Sequence, residues 1–130
     1  MPTDLFQSGD FTLHSGQRSR WIIDCRAFTP EGWRTLALIA SERLEPFGQV
    51  IGVPQGGEPF ADALRQYTTP DDLSVLIADD VWTTGASIRD VRQSSVGVLT
   101  PWHGVVVFAR APVPSWVTAL CQMGGPDADQ

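Results

Sequence analysis

The 130-residue chain contains no lysine: all nine of its basic residues are arginines, set against fifteen acids, and its net charge is −6. A protein that coats nucleic acid needs a basic face to neutralise phosphates, so this balance argues against nucleic acid as a partner. No apolar run approaches the roughly 18 residues of a membrane span. Residues 1–10 carry two acids and no basic residue, unlike a signal peptide. We therefore expect a cytoplasmic protein that binds neither nucleic acid nor membrane.

Cysteine is also scarce. Cys25 and Cys121 form no CxxC pair and have no metal-ligand spacing with either histidine. We expect both to be small core residues in a reducing compartment. The length fits a single domain over residues 1–130, and the Gly-, Pro- and acid-rich residues 124–130 are predicted to form a flexible tail.

Short apolar runs alternate with helix signals along the middle of the chain. Thr29, Pro30 and Glu31 predict a helix start, since a hydroxyl caps, proline fits the first turn and an acid meets the helix dipole. That helix is predicted to run to about residue 45, with Trp33 on its buried face. Strands are predicted at 21–24, 49–53, 73–78 and 104–109. Further helices are predicted at 59–67, 87–95 and 113–123, and residues up to Ser8 are predicted to be loose.

This alternation predicts an α/β fold, with a parallel sheet covered by helices. In such sheets, ligands bind beyond the carboxyl ends of the strands. Three segments follow the carboxyl ends of predicted buried strands: residues 54–57, residues 79–87 and Arg110. They are the first candidates for a binding site.

The segment 75–87 carries the strongest chemical signal. An apolar strand ends in Asp79 and Asp80, whose carboxylates can accept hydrogen bonds from sugar hydroxyls, or hold Mg²⁺ directly or through water. A small-residue loop then opens a helix, and its amides and hydroxyls can face a phosphate. The loop residues are Thr83, Thr84, Gly85, Ala86 and Ser87. The alternative is an acid pair that merely caps the next helix, but strand, acid pair, loop and helix together favour the phosphate site.

This segment resembles the motif with which type I phosphoribosyltransferases bind 5-phosphoribosyl 1-pyrophosphate (PRPP). In that motif, four apolar residues and two acids precede a short loop with Thr-Gly and a hydroxyl residue. The resemblance implies the family's Rossmann-like parallel-sheet fold, with a small N-terminal hood segment. It also implies that Asp79 and Asp80 are the catalytic residues that hold the ribose hydroxyls, while residues 83–87 cradle the 5′-phosphate.

Pro54, Gln55, Gly56 and Gly57 stand where that family keeps its pyrophosphate-binding loop. A Gly-Gly turn between a strand and a helix can bring bare amides close to an anion. Any tight strand-to-helix turn can also contain Gly-Gly, so the position of this turn, one strand before the PRPP motif, supports the assignment.

Residues 11–19 resemble the opening of the orotate phosphoribosyltransferases, which read Phe-Thr-Leu-Lys-Ser-Gly there. His14 replaces a lysine that contacts the substrates, and Arg110 stands where those enzymes place an arginine against the base. Ala109 replaces the acid that precedes that arginine. The alternatives are a solvent-facing strand-edge residue for His14 and a surface arginine in a salt bridge for Arg110.

The chain also departs from those enzymes in lacking a loop. They carry a long mobile loop rich in Lys, Arg and His before the PRPP motif, whereas residues 62–74 leave no room for one here. The resemblance implies PRPP and an orotate-like base as substrates, Mg²⁺ as cofactor and a homodimer. We therefore predict phosphoribosyl transfer with reduced activity. The alternatives are a non-catalytic PRPP or nucleotide sensor, and a subunit that needs a partner chain for catalysis.

Overall fold

The computed structural model describes residues 4–13 and 16–123. Two strands near the N-terminus, β1 (Phe6–Thr12) and β2 (Arg18–Ile23), form an antiparallel hairpin. Short 3-10 turns at Cys25–Ala27 and Arg65–Tyr67 follow β2 and the second helix. The remaining elements are α1 (Pro30–Arg43), β3 (Gln49–Gly52), α2 (Glu58–Leu64), β4 (Val75–Trp82), α3 (Ala86–Ser95), β5 (Trp102–Ala109) and β6 (Val117–Gln122).

A four-stranded sheet in the order β3-β4-β5-β6 forms the centre of the molecule, and all its pairings are parallel. Alternate residues of β4 point to opposite faces. Leu76 packs in the core with α1 and α2, while Ile77 packs in the core with α3. Because the sheet is parallel, β3, β4 and β5 end at the same edge, where the site lies.

The first helix begins as predicted. The Thr29 hydroxyl accepts a hydrogen bond from the Gly32 N–H at 3.1 Å, and Pro30 occupies the first turn. Trp33 is buried, with its ring 5.1 Å from that of Phe28, which confirms it as a core residue. None of the helices in the described residues is long and apolar enough to cross a bilayer.

The prediction of a helix at 113–123 is wrong. Val117–Gln122 forms β6, the edge strand that pairs with β5. A short apolar run between proline and glycine has no decisive period. Here the pairing satisfies the outer backbone groups of β5, which a helix would leave without sheet partners.

The prediction of a loose N-terminus up to Ser8 is also wrong from Phe6 onward. Phe6 pairs with Ile23 in the hairpin, and its ring lies 6.1 Å from that of Phe108 at the end of β5. The Asp24 N–H also donates to the Leu5 carbonyl. Tertiary contacts therefore order this polar stretch, and the hairpin occupies the place of the predicted hood segment.

The two cysteines differ from each other. Cys25 is buried in the core, and burial raises the pKa of its thiol, with Asp80 and Asp24 nearby. Cys121 is exposed on the edge strand β6, so its prediction as a core residue is wrong. The predicted flexible tail at 124–130 lies outside the described residues.

Candidate functional site

A cavity of about 630 Å³ opens at the carboxyl edge of the sheet. It joins the three predicted segments and adds residues of the hairpin. Its lining consists of Thr12, Leu13, Ile22, Ile23, Val53, Pro54, Gln55, Gly56, Asp79, Asp80, Val81, Trp82, Thr83, Thr84, Gly85, Ala86, Ser87, Ile88 and Arg110. Gly57 lies outside this lining, and His14 lies outside the described residues.

The acid pair lies inside strand β4, which ends at Trp82, four residues beyond the predicted end at residue 78. The strand runs on to Trp82 because Asp79, Val81 and Trp82 continue to pair with β5. Both carboxyl groups line the cavity, and they lie close enough to interact with each other. Asp80 faces the turn after β3, where a Cβ atom placed on Gly56 would lie 2.5 Å from its Oδ2.

Asp79 is the more deeply buried acid, with 8% of its surface exposed. Burial raises the pKa of its carboxyl to about 9, and the hydrogen bond and negative charge of Asp80 raise that pKa too. Asp79 Oδ1 accepts the Asp80 N–H at 2.8 Å, and Asp80 Oδ1 accepts the Val81 N–H at 2.8 Å. The raised pKa favours the protonated form of Asp79 at neutral pH in the ligand-free protein.

The loop at 83–87 turns sharply into α3. Gly85 has φ +83°, a conformation that other residues resist, and a Cβ atom there would overlap the indole of Trp82. The Thr84 hydroxyl accepts the Ala86 N–H at 3.3 Å. Thr83 and Ser87 are half-buried, and every residue of the loop lines the cavity. The loop thus places small side chains and the first turn of a helix around one space, which suits an anion.

The turn at 54–57 fits closely against β4. A Cβ atom on Gly57 would overlap the carbonyl oxygen of Ala78, and the Gly57 N–H donates to the Val53 carbonyl at 2.9 Å. The peptide between Pro54 and Gln55 is cis. Gly57 therefore supports the turn by packing, and its amide is engaged there. Pro54, Gln55 and Gly56 are the members that face the cavity.

Arg110 is buried, with 3% of its surface exposed, so the alternative of a surface arginine is wrong. Its Nη2 donates to the Ser19 hydroxyl at 2.7 Å, and its guanidinium carbon lies 3.5 Å from the ring centre of Trp21. Both contacts are to β2. Arg110 therefore lines the cavity and also joins the end of β5 to the hairpin.

A neighbouring cavity of about 640 Å³ lies between the hairpin, α1 and the 54–57 turn. It shares five lining residues with the first: Ile22, Ile23, Gln55, Gly56 and Asp80. Arg26 lines it and pairs with Asp24 at 2.7 Å, which lowers the pKa of that carboxyl. Among the described residues, Arg26 and Arg110 are the basic residues in the two linings. Two basic residues in the described linings are few for a ligand with several phosphate charges.

A divalent cation would find few protein ligands here. Within the described part of the chain, no three His, Cys, Asp or Glu residues cluster as a metal site. Mg²⁺ commonly binds one or two carboxylates together with substrate phosphates. Asp79 and Asp80 meet that requirement, so the donor set fits Mg²⁺ brought in with a phosphorylated ligand rather than a site made by protein alone.

Sequence reasoning missed the apolar wall that Ile22 and Ile23 form, and the contacts of Trp82 beneath Gly85. The pattern at 21–24 predicts only a strand. The apolar residues at 21–24 indicate a buried face, but no local pattern indicates that this face lines the cavity. No local pattern indicated that Ser19 would meet Arg110, 91 positions away.

No family model matches the chain, but the sequence is similar to known orotate phosphoribosyltransferases. The sequence is 32% identical over 110 residues to the orotate phosphoribosyltransferase of Methanosarcina acetivorans, and 31% identical to that of Methanosarcina mazei. Each match covers 63% of this chain and 58% of the relative. The chain thus spans a little over half the length of these curated relatives.

Solved structures agree on the fold. The orotate phosphoribosyltransferase of Aeropyrum pernix superposes with a TM-score of 0.71 at 23% identity, covering 92% of this chain and 88% of that one. The Mycobacterium tuberculosis enzyme in complex with inorganic phosphate gives 0.64 at 16% identity, covering 88% and 86%. These matches confirm the predicted α/β parallel-sheet fold.

Proposed function

We propose that this chain, a homologue of the orotate phosphoribosyltransferases, belongs with the type I phosphoribosyltransferases. On that premise, it binds PRPP and transfers the phosphoribosyl group of PRPP to orotate or a related base. The observation that carries the proposal is the cavity in which the acid pair, the 83–87 loop and the 54–57 turn meet. Each of these segments suits one part of PRPP, and all three line one space.

The 5′-phosphate would lie at the 83–87 loop, because the first turn of α3 and the Thr83, Thr84 and Ser87 hydroxyls surround that end of the cavity. The ribose hydroxyls would lie at Asp79 and Asp80. The protonated carboxyl of Asp79 can donate one hydrogen bond, while the carboxylate of Asp80 accepts another.

The leaving pyrophosphate would lie at the 54–57 turn, next to Asp80. Mg²⁺, held by Asp80 together with the substrate phosphates and reached from Asp79 through water, would offset the negative charge of the pyrophosphate. The bond from ribose C1 to the pyrophosphate oxygen breaks, and a bond from C1 to a nitrogen of the base forms. Among the described residues, we assign none as a nucleophile, because the base itself supplies the attacking nitrogen.

The base would lie between the apolar wall of Ile22 and Ile23 and the guanidinium of Arg110. Arginine pairs well with a carboxylate such as that of orotate. His14 remains a candidate for the same end of the site from sequence alone.

The rate should be low for an enzyme. Removal of one well-aimed donor typically costs about a hundred- to a thousandfold in rate. Among the described residues, the linings hold only two arginines, and only residues 65–74 separate α2 from β4. A non-catalytic sensor has less support, because both Methanosarcina relatives are named as transferases.

Pyrophosphate release by the purified chain, with orotate, saturating PRPP and Mg²⁺, tests this proposal. We expect turnover well below the typical enzyme rate of about 10 per second. The variant Asp80→Asn should reduce it further, and Asp90→Asn on the exposed face of α3 should not. No turnover with any nucleobase would contradict the transferase proposal. A homodimer and a cytoplasmic location remain predictions.

A further inference from the structure

Arg89, on the outer side of α3, contacts the 83–87 loop from behind. Its Nη1 donates to the carbonyl oxygen of Thr84 at 2.7 Å. Its guanidinium carbon lies 5.7 Å from the ring centre of Trp82 and 5.3 Å from that of Trp116. Arg89 is therefore held against the loop by one charged hydrogen bond and two aromatic rings.

The same two tryptophans support the loop directly. Trp82 is buried, and its indole lies so close to Gly85 that no side chain fits there. Trp116 packs edge-on against Trp82, with ring centres 5.6 Å apart. Gly85 in turn holds the left-handed conformation that opens α3. Trp82, Trp116 and Arg89 thus fix both the backbone angle at Gly85 and the direction of the Thr84 carbonyl.

The position of Arg89 is unfavourable for the helix alone. A cation near the N-terminus of a helix opposes the positive end of the helix dipole. Arg89 is the fourth residue of α3, and the first turn contains no acid. Charge at this place favours an anion bound in front of the loop, since the helix terminus and the guanidinium both attract it.

We propose that Arg89, packed over the rings of Trp82 and Trp116, is a positioning residue that preorganises the 83–87 loop for a phosphate monoester. This inference rests on the proposed function, because it assigns the loop to the 5′-phosphate. A loop ordered before binding loses less conformational entropy when the ligand arrives. Loss of the Arg89 contacts should therefore weaken phosphate binding with little effect on the rest of the cavity.

Arg92 provides a matched control on the same helix. Its guanidinium carbon lies 5.6 Å from the ring centre of Trp102, and its side chain donates to the carbonyls of Val96 and Val98. These contacts match those of Arg89 in kind, but they lie at the far end of α3. Arg92→Met should therefore report any general effect of the lost arginine contacts on the fold.

The experiment is calorimetric titration of the full chain with ribose 5-phosphate and, separately, with Mg²⁺-pyrophosphate. A net hydrogen bond changes an equilibrium by a factor of about 2–10. We expect Arg89→Met to raise the Kd for ribose 5-phosphate about three- to tenfold and to leave that for pyrophosphate within twofold. Arg92→Met should leave both unchanged.

Two results would overturn the inference alone: ribose 5-phosphate binding by Arg89→Met as tight as wild type, or equal weakening in Arg89→Met and Arg92→Met. Failure of the wild-type chain to bind ribose 5-phosphate would overturn the proposed function as well. If Arg89→Met does not fold, Arg89→Lys decides, since lysine keeps the charge but lacks the flat stacking surface. We expect at least a twofold higher Kd, and an unchanged Kd would refute the proposal.

Discussion

The buried carboxyl of Asp79 should make the ligand-free protein less stable at neutral pH than the same fold without it. Folding raises the pKa of this carboxyl from the ordinary 3.8 to about 9, first because it is buried and then because Asp80 lies beside it. A group with a raised acid pKa binds a proton more tightly when folded. Its cost to stability is absent below about pH 4 and grows as the pH rises towards 9.

The magnitude follows from the same values. At pH 7 this carboxyl is ionised in the unfolded chain, where its pKa lies about three units below that pH, but it must be protonated in the folded chain. That difference of about three units corresponds to about 4 kcal/mol. Relaxation and water entry reduce such penalties in real proteins. An asparagine also has its own cost of burial. We therefore expect Asp79→Asn, which keeps the acceptor for the Asp80 N–H, to stabilise the ligand-free chain by about 1–3 kcal/mol at pH 7.

Denaturant unfolding at pH 5, 7 and 9 measures this effect. The free energy of unfolding of wild type should fall across that range relative to Asp79→Asn, so the difference between the two should widen with pH. Asp90→Asn, on the exposed face of α3, is the control and should not change with pH in this way. A less stable Asp79→Asn at pH 7, or a difference that is constant with pH, would refute the argument.

Two further predictions concern the loop and the hairpin. In thermal unfolding, Gly85→Ala should cost about 2–4 kcal/mol of stability, since the φ of Gly85 is left-handed and Trp82 fills the space that a side chain would need. Gly16→Ala should cost about 1–2 kcal/mol, since Gly16 has φ +91° but nothing lies within 4 Å of an added Cβ atom. Equal losses would show that Trp82 gives way. Arg110→Ala should weaken orotate binding about tenfold or more in calorimetry. Ser19→Ala, which removes the hydrogen bond between Arg110 and the hairpin, should weaken orotate binding less than about threefold. Equal weakening by both would assign Arg110 to the hairpin instead of the base.

Local signals predicted the centre of this fold well. Thr29 and Pro30 mark the start of α1 because capping depends on adjacent residues. The 83–87 loop was predicted for a similar reason, since an apolar strand, two acids, hydroxyls and a glycine lie in one continuous stretch. Their grouping in one cavity follows from the parallel sheet, which brings the ends of β3, β4 and β5 to one edge.

The features that sequence reasoning missed depend on distant partners. The strand β6 forms because β5 offers an open edge, and the sequence at 117–122 alone does not choose between helix and strand. Arg110 is buried because Ser19 and Trp21 of the hairpin cover it. The engagement of the Gly57 amide within its own turn was likewise invisible in a Gly-Gly pair.

Calorimetric titration of PRPP, with Mg²⁺, into wild type and Asp80→Asn is the most direct test of the central claim that the cavity at the end of β4 binds this ligand. We expect wild type to bind one PRPP per chain, and Asp80→Asn to bind it more weakly by about 1–3 kcal/mol, the scale of hydrogen bonds to charged groups. Absence of binding to wild type would contradict the claim. Equal affinity in the two proteins, with a less stable ligand-free Asp80→Asn, would show instead that the acid pair serves only the fold.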